Sequence, residues 1–354
     1  MHGHCATDGI ITAHEESIPL RTTLADRHTT EEYQASALTT GATLAHGAGD
    51  RPQPEEPDAF RTCFERDRDR ILHSSAFRRL AGKTQVFIFP ADHQRTRLTH
   101  ALEVSQVAVA ISRHLRLNTD LTEAIALGHD CGHGPGGHAS EVALEPFLSD
   151  GFDHAPWGAY VTLSHLNLCK ETTDGIANHS WSRPKPMTPE AEVVALADRI
   201  AYCAHDLEDA IDAGLLPRNA VPSELSQLIG PHHTQQLDYF ITDVISTSVS
   251  SGTIGLSAEA GEALAGLRAF NYTRIYTTQA AERQSESVIA VLRSLTEYLI
   301  EHPKAMPQIE ESIPIERQVV AYVAGMTDRY AFRLAHELIH WPTDRLPLGI
   351  DLGA

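Results

Sequence analysis

The sequence has no apolar run of 18 residues, no C-x-x-C pair and no apolar signal-peptide core near its start. A helix needs about 20 apolar residues to cross a bilayer, so neither a membrane span nor secretion by that route is expected. Cysteines are few, odd in number and scattered, which favours a reducing, cytoplasmic compartment over a disulfide framework. They stand at positions 5, 63, 131, 169 and 203.

Basic side chains are also scarce. The chain of 354 residues carries 28 Lys and Arg against 47 Asp and Glu, a formal net charge of −19. Binding along a nucleic-acid backbone needs clustered Lys and Arg, so no strong nucleic-acid surface is expected. The overall charge does not exclude a small anionic ligand that a local arginine group or a metal ion binds. The hydrophobic content of 42% is that of an ordinary globular protein.

The first 57 residues differ from the rest. They contain nine Asp and Glu against three Arg, and Tyr33 is their only aromatic residue. A segment of this kind buries too little apolar surface to offset its loss of conformational entropy. We therefore expect residues 1–57 to form an acidic, mobile N-terminal segment.

From Phe60 onward the apolar residues recur mostly at helical spacing. Asp120 is expected to cap a short helix that runs through Leu127. Three later stretches are also predicted helices, at 232–250, 258–300 and 314–339. The one strand-like run is T-Q-V-F-I-F at residues 84–89. The pattern predicts an all-α protein with at most a short β-hairpin.

The clearest helix start is T-P-E at residues 188–190. A hydroxyl that caps the helix precedes a proline at the first helical position, and an acid follows it. This helix should run to about Ala213, because Gly214 is a typical residue for a helix end.

The most informative segment is H-D-C-G-H-G-P-G-G-H-A-S-E at residues 129–141. Adjacent His129 and Asp130 side chains, with a distant His and a distant Asp, can close around one metal ion, because imidazole and carboxylate are both common ligands. The four glycines permit backbone angles and close approaches that suit a loop folded over a ligand. The alternative is a polar turn between helices that is rich in His by chance.

Two other segments supply the missing ligand types. R-T-R-L-T-H at residues 95–100 places His100 in the first turn of an apolar helix, after two arginines that suit phosphate oxygens. The alternative is a His that caps the helix or is satisfied in the core. Residues 198–209 place five polar side chains on one side of a helix with apolar flanks, which favours a half-buried site over a solvated face. The five are Asp198, Tyr202, His205, Asp206 and Asp209.

Two segments give weaker signals. D-R-Y at residues 328–330 follows an apolar helix, and an Asp-Arg pair in such a place is often an ordinary surface ion pair. F-R-R-L-A-G-K-T-Q at residues 77–85 is basic in an otherwise acidic chain. It either clamps an anion or faces solvent.

In this order, R-L-T-H, H-D-C-G-H-G-P-G-G-H-A-S-E and L-A-D-R-I-A-Y resemble the motifs of the HD superfamily of metal phosphohydrolases. More closely, the chain resembles the bacterial dGTPase-like deoxynucleotide triphosphohydrolases. The strings F-R-R-L-A-G-K-T-Q-V-F, L-N-L-C-K-E-T-T-D-G-I and A-G-M-T-D-R-Y-A support this. The resemblance covers roughly residues 60–340, and the motifs are specific only in combination.

Carried over position by position, the resemblance implies one divalent metal ion with four ligands, His100, His129, Asp130 and Asp198. Mn or Mg is the metal ion expected first, and mixed nitrogen and oxygen ligation is also compatible with Fe, Co, Ni or Zn. The implied catalytic residues beside the scissile phosphate are His138, Glu141 and His133. The implied substrate-binding residues are Arg97 at the phosphate, Tyr202 and Asp206 at the sugar, and, on a looser match, Arg79 and Gln85.

The resemblance further implies an activity and an organisation. The activity is hydrolysis of a deoxynucleoside triphosphate (dGTP or several dNTPs) to a deoxynucleoside and inorganic triphosphate. An HD core over 58–215 would be followed by a helical region, 216–354, that completes the nucleotide pocket and offers a homo-oligomer interface. The rival functions are another HD phosphohydrolase, such as a nucleoside monophosphate phosphatase, and a non-catalytic nucleotide sensor.

The chain departs from the family pattern beside the expected pocket. Gly136 stands where relatives usually have an aromatic residue, and the segment after G-F-D-H at residues 151–154 is shorter than in many relatives. The base preference is therefore left open.

Overall fold

The computed structural model describes residues 4–5, 10–14, 20–87 and 94–347. Within these ranges the structure is helical, and the only strands are an antiparallel pair, β1 (His4–Cys5) and β2 (Ile11–Thr12), in which His4 lies opposite Thr12. The expectation of an all-α protein with at most a short hairpin is confirmed. None of the described helices is long and apolar enough to cross a membrane.

Fifteen α-helices are present in the described ranges. Those of the N-terminal half are α1 (Arg27–Ala37), α2 (Cys63–His73), α3 (Ser75–Arg79), α4 (Arg97–His114), α5 (Thr119–Gly128), α6 (His138–Leu144), α7 (His154–Trp157) and α8 (Lys170–Ala177). Those of the C-terminal half are α9 (Pro189–Asp212), α10 (Ser223–Ile229), α11 (His233–Ser251), α12 (Ala258–Asn271), α13 (Gln279–Glu301), α14 (Ile315–Ala324) and α15 (Asp328–Ile339).

The ends of α9 follow the sequence signals. The Thr188 hydroxyl accepts a hydrogen bond from the Ala191 N–H at 3.2 Å, and Pro189 opens the helix. At the other end, Gly214 has a φ of +73°, the left-handed conformation that glycine adopts most readily. Both predicted ends are confirmed.

The start of α5 was predicted two residues too late. Asn118, and not Asp120, is the cap: its side-chain oxygen accepts from the N–H groups of Asp120 and Leu121, each at 3.2 Å. Asp120 lies in the first turn and forms an ion pair with Arg68 at 3.1 Å. The reason is that an asparagine two residues earlier offers the same capping geometry.

Each of the two longest predicted helices is divided. A π-helical turn, Tyr272–Tyr276, separates α12 from α13, and the Thr278 hydroxyl caps the new helix start. Thr327 does the same for α15 after α14 ends. Thr278 and Thr327 each cap a new helix within a continuous apolar pattern, and the spacing of the apolar residues alone does not reveal such a helix start.

The strand prediction is wrong over the described part of its run. Thr84 makes an isolated bridge with Thr96, and residues 85–87 are bends. The N–H and hydroxyl of Thr84 both donate to the Asp328 carboxylate, at 3.0 and 2.5 Å, so its backbone donor is not available to a strand ladder. Residues 88 and 89 of the run lie outside the described residues.

Two apolar cores organise the molecule. The first includes buried side chains of α2, α4, α5, α8, α9, α11 and α12. The second includes those of α6, α7, α13, α14 and α15. Neither core follows the expected division at residue 215, because α11 and α12 join the first core and α6 joins the second. The domain boundaries stay a prediction.

Part of the acidic N-terminal segment is packed into the first core. The Arg51 side chain is 1% exposed, and its Nη1 lies 2.5 Å from Oδ1 of the buried Asp67. Its Nη2 donates to the Cys63 carbonyl oxygen at 2.8 Å, and Ala45 is also buried. The expectation of a mobile segment misjudged these residues, because a count of charges does not show which of them form buried ion pairs.

Candidate metal centre

The glycine-rich segment forms a tight turn between α5 and α6. A Cβ at Gly132 would lie 2.0 Å from the His154 carbonyl oxygen and 2.4 Å from the Gly158 nitrogen, so no larger residue fits. Gly136 and Gly137 have φ values of +73° and +63°. The glycines therefore allow the turn to pass directly against neighbouring backbone, as a loop folded over a site requires.

Two buried side chains hold this turn in place. Lys83 donates to the carbonyl oxygens of His133 and Ala324. Asp328 accepts from the Gly136 N–H at 2.9 Å while it also binds Thr84. Lys83 thus neither clamps an anion nor faces solvent, and Asp328 is a support of the turn, not a surface ion pair.

The four expected metal ligands lie together. His100 Nε2 is 3.1 Å from Asp198 Oδ1 and 4.0 Å from Asp130 Oδ2. His129 Nε2 is 3.7 Å from Asp198 Oδ1 and 3.5 Å from Asp130 Oδ1. The two histidines and Asp130 are buried, whereas the Asp198 side chain is 21% exposed. Helices α4, α5 and α9 thus bring one ligand cluster together with an opening on one side.

The cluster fits a divalent metal ion. His129 Nδ1 binds the Ala126 carbonyl oxygen at 2.6 Å, so its Nε2 carries the lone pair, and that atom is buried with no hydrogen-bond partner in the described part of the chain. Around an ion with ligands at about 2.1 Å, adjacent ligand atoms lie about 3.0 Å apart and opposite ones about 4.2 Å. The observed separations, from 3.1 to 4.0 Å, fall between these limits.

Electrostatics keep both carboxylates in the charged form that a metal needs. Burial opposes ionisation of Asp198, but the hydrogen bond with His100 and the nearby imidazoles outweigh it and lower the pKa of Asp198. Burial also opposes ionisation of Asp130, and the Arg97 guanidinium beside it holds the pKa of Asp130 well below its usual range.

Arg97 is the arginine that reaches the cluster. Its Nη1 donates to Asp130 Oδ2 at 2.7 Å, while its Nε and Nη2 are buried and have no hydrogen-bond partner among the described residues. Arg95, its neighbour in the motif, instead forms ion pairs with Glu103 at 2.9 Å and Asp209 at 2.5 Å. Only one of the two arginines thus has unpaired donors beside the ligand cluster.

A second set of side chains borders the first. His138 is 73% exposed, and its Nδ1 lies 3.0 Å from Glu141 Oε2. The other carboxylate oxygen of Glu141 lies 2.5 Å from His154 Nδ1. His133 binds Asp130 Oδ1 through Nε2 at 3.1 Å and stacks on the His154 ring, so it links the two sets.

The second set and the neighbouring His179 include both charged and neutral side chains. Burial opposes ionisation of Glu141, but hydrogen bonds with His138 and His154 outweigh it and lower the pKa of Glu141. Burial, together with the charge on Arg97, holds the pKa of His133 well below its usual value. Burial lowers the pKa of His179 to about 3. His133 and His179 are therefore neutral at physiological pH.

Asp206 and Tyr202 lie further along α9, with partners that the sequence did not suggest. Asp206 Oδ2 accepts from the Tyr276 hydroxyl at 2.5 Å, while its Oδ1 is buried without a partner. Burial raises the pKa of Asp206 to about 7. Tyr202 accepts from Arg268 Nε at 3.1 Å. Helix α12 and the π turn after it thus complete this part of the site.

Two family models match the chain: the HD domain over residues 97–203 and the phosphohydrolase-associated domain over residues 254–337. A deoxyguanosinetriphosphate triphosphohydrolase-like protein from Caldanaerobacter subterraneus subsp. tengcongensis is 44% identical over 316 residues, which cover 86% of this chain and 93% of that protein. This chain belongs to the HD-domain phosphohydrolase family.

Two further relatives carry the same printed name. The one from Clostridium perfringens (strain 13 / Type A) is 40% identical over 323 residues, which cover 86% of this chain and 94% of that protein. The one from Ruegeria sp. is 36% identical over 384 residues, which cover 87% of this chain and 98% of that protein. The HD-domain match contains all four residues of the ligand cluster, and the second match contains Arg268 and Tyr276.

The remaining expected residues of this HD-domain phosphohydrolase are less closely tied to the cluster. Gln85 directly follows Lys83 and Thr84, which bind His133 and Asp328 respectively. Its side-chain oxygen is buried and has no hydrogen-bond partner among the described residues. Arg79 is exposed at the end of α3, beside Gly325. Among the described residues, no hydrogen bond or ion pair joins either side chain to the ligand cluster.

Two histidines near the ligand cluster of this phosphohydrolase were not predicted as site residues from the sequence. His154 ends the G-F-D-H element, which was noted only as a place of departure from the family. His179 follows α8 in A-N-H-S, with no ligand spacing to mark it. Both are buried, and each lies within 4.8 Å of expected metal ligands through its ring nitrogen.

Proposed function

We propose that this phosphohydrolase hydrolyses deoxynucleoside triphosphates to the deoxynucleoside and inorganic triphosphate, with a divalent metal ion. The observation that carries the proposal is the ligand cluster, where a buried arginine with two unpaired nitrogens and an exposed, carboxylate-bound histidine lie around two ionised carboxylates. The printed names of the relatives support the substrate class.

The ion would be held by His100, His129, Asp130 and Asp198. When bound, such an ion polarises a phosphoryl oxygen and makes water more acidic. Mn or Mg agrees with the carboxylate share of the ligands, and the two imidazoles also suit Fe, Co, Ni or Zn.

Arg97 would bind the α-phosphate. Its Nε and Nη2 need acceptors, because a buried guanidinium that lacks them is costly, and phosphate oxygens supply them in a forked geometry. Its remaining nitrogen stays on Asp130 at 2.7 Å, which fixes the direction of the guanidinium plane. Arg97 would thereby both bind the substrate and hold the metal ligand Asp130 in position.

His138 would handle the proton. Glu141 fixes its Nδ1, which would leave the Nε2 of this exposed side chain to protonate the departing 5′ oxygen or to position the attacking water. His133, held neutral by its burial, would lie beside the same phosphate.

Asp206 and Tyr202 would border the deoxyribose. The unpaired Oδ1 of Asp206 can accept a hydrogen bond from the 3′-hydroxyl, while Tyr276 fixes the other oxygen at 2.5 Å. The Tyr202 ring, held by Arg268, would crowd a 2′-hydroxyl. Gln85 and Arg79 remain proposed nucleotide contacts on the family resemblance.

The deciding experiment is a product assay. dNTPs, NTPs and nucleoside monophosphates are each incubated with the protein and each metal, and the products are resolved by chromatography. The proposal expects a deoxynucleoside and inorganic triphosphate. Release of orthophosphate from a nucleoside monophosphate would establish the rival phosphatase, and binding without turnover at any metal would establish a sensor.

Metal content tests the ligand assignment separately. Asp198→Ala should lose the metal and all turnover, because one carboxylate of a four-residue set is removed. Asp212→Ala is the matched control, since this acid is on the same helix and its one ion pair within the described ranges is with Arg218, at 3.6 Å. Full metal occupancy and activity in Asp198→Ala would remove Asp198 from the site.

A further inference from the structure

Two buried cysteines that the proposed reaction does not use lie side by side in the first core. Cys63 is the first residue of α2, and Cys169 directly precedes α8. Their exposed fractions are 1% and 0%, and both are free thiols. The fold thus brings two sulfur atoms from distant parts of the chain into one place.

The contacts of Gly49 show how close the two sulfurs are. A Cβ at this position would lie 3.3 Å from Cys63 Sγ and nearer still to Cys169 Sγ. Both side chains therefore pack against the same side of one glycine. The two thiols are also hydrogen-bond partners, and this bond lowers the pKa of Cys63 and raises the pKa of Cys169.

Buried polar groups fix the backbone on both sides of the thiols. Asp67 accepts from the Cys169 N–H at 2.8 Å, and Arg51 Nη2 donates to the Cys63 carbonyl oxygen at 2.8 Å. Arg51 and Asp67 are themselves an ion pair, at 2.5 Å. One network thus holds the start of α2, the start of α8 and the segment before Arg51 around the two sulfurs. A disulfide requires such fixed closeness, because its geometry is specific.

The two thiols differ in the way that stepwise oxidation requires. The thiolate is the reactive form of a cysteine, and a nearby positive charge favours it. The hydrogen bond with Cys169 is the main cause of the lowered pKa of Cys63, and the charge on Arg51 acts in the same direction. The pair therefore contains one thiol that ionises first and, beside it, a second thiol that can react with its oxidised form.

The alternative is plain packing, since a free cysteine behaves as a small apolar residue. The cover over the pair favours a reactive site. Gly49, which contacts both sulfurs, is only half-buried, so the thiols lie one residue below the surface. Gly47 and Gly49 both have positive φ values, of +56° and +79°. Local opening of this short cover gives a small oxidant access without unfolding of the core.

We propose that Cys63 and Cys169 are a redox-active pair that hydrogen peroxide converts to a reversible disulfide. The Cys63 thiolate attacks one peroxide oxygen, which breaks the O–O bond and, with one proton, gives a sulfenic acid and water. The Cys169 sulfur then attacks the Cys63 sulfur, loses its proton, releases a second water and closes the S–S bond. The two thiols lose two electrons and two protons, and one peroxide becomes two waters.

The disulfide changes stability and not the proposed chemistry, so the inference does not depend on the proposed function. It ties α8 to α2 across a loop of roughly 100 residues, and a cross-link of that length restricts the unfolded chain strongly. The melting temperature of the oxidised protein should therefore rise by roughly 5–10 °C. A dithiol reductant should reverse the rise by thiol exchange.

The test is oxidation of the full chain, reduced beforehand with dithiothreitol, by stepwise additions of hydrogen peroxide. Cysteine peptides are then mapped by mass spectrometry without reduction, and melting is followed by circular dichroism. Wild type should yield a peptide that links Cys63 to Cys169, melt at the higher temperature and regain both thiols with dithiothreitol. Cys203→Ser is the matched control, since Cys203 is equally buried, and it should form the same link.

Cys63→Ser and Cys169→Ser should each show no internal link and no rise in melting temperature after peroxide. The wild-type map decides even if a variant does not fold. The proposal is wrong if no peroxide concentration that leaves wild type folded links Cys63 to Cys169. Irreversible oxidation of Cys63 in place of the link would also overturn it, as would links between other cysteines only.

Discussion

Replacement of His138 by alanine separates catalysis from binding and folding. The His138 side chain is 73% exposed, and its one side-chain hydrogen bond to the residues that the structure describes is the 3.0 Å contact with Glu141. Substitutions at such exposed positions usually change the free energy of unfolding by no more than about 0.5 kcal/mol. The variant should therefore fold and bind metal as wild type does.

The expected loss lies in kcat. A positioned proton-transfer group contributes roughly 10²- to 10⁴-fold, which corresponds to about 3–5 kcal/mol of activation free energy. Substrate affinity should stay near wild type, because proton transfer stabilises the transition state and not the bound substrate. Steady-state kinetics with a dNTP, together with direct binding of a non-hydrolysable analogue, measures both quantities.

Two further variants make the result specific. His165→Ala removes another exposed imidazole and should leave kcat unchanged. Glu141→Gln keeps the shape but removes the charge that binds both His138 and His154, so it should lower kcat and also destabilise the fold. If His138→Ala kept its kcat and lost affinity, His138 would be a binding residue and the proton-transfer role would be wrong.

Four other outcomes are expected. Burial raises the pKa of Asp206 to about 7, whereas the same carboxyl in the unfolded chain has a pKa of about 4. Between these two pH values the native state binds one more proton than the unfolded state. The free energy of unfolding should therefore fall, by up to about 4 kcal/mol, as the pH rises from the lower value to the higher. Denaturant titrations at pH 5 and 8 should show this dependence in wild type and a flatter one in Asp206→Asn. Tyr202→Ala should narrow the ratio of dNTP to NTP kcat/KM, and a wild type indifferent to the 2′-hydroxyl would contradict the sugar assignment. A chain that starts at residue 57 lacks Arg51 and leaves Asp67 buried without its partner, which should cost about 3–5 kcal/mol; a chain that starts at residue 26 should unfold like the full chain. Light scattering should show a homo-oligomer, and a monomeric mass would refute that prediction.

The sequence by itself predicted the fold class, and its resemblance to a family predicted which residues form the ligand cluster. Helical apolar spacing and the Thr188-Pro189 start are local properties, so they are visible without the tertiary structure. The glycine-rich turn is also local, because its backbone angles exclude other residues at Gly136 and Gly137. The four expected ligands were assigned by family resemblance, and the structure brings them within 3.1 to 4.0 Å of their neighbours.

Only the tertiary structure decided which charged side chains are free to act. Arg95 and Arg97 are two positions apart in one motif, yet the first is paired with Glu103 and Asp209 while the second keeps two unpaired nitrogens. Lys83 belongs to the basic segment that was expected either to clamp an anion or to face solvent, and it does neither, because it holds the turn by two carbonyl oxygens. A motif lists the donors but not their partners, because the partners come from distant parts of the chain.

The pairing of His154 with His179 is the clearest case of this kind. The two residues are 25 positions apart in different helical regions, and neither has a spacing that marks it as a ligand. Their ring nitrogens meet because Glu141 and the Ile176 carbonyl oxygen fix the rings where the two cores touch. The residue types of the ligand cluster were visible in the sequence motifs. The packing of one core against the other decided that His154 and His179 lie beside that cluster.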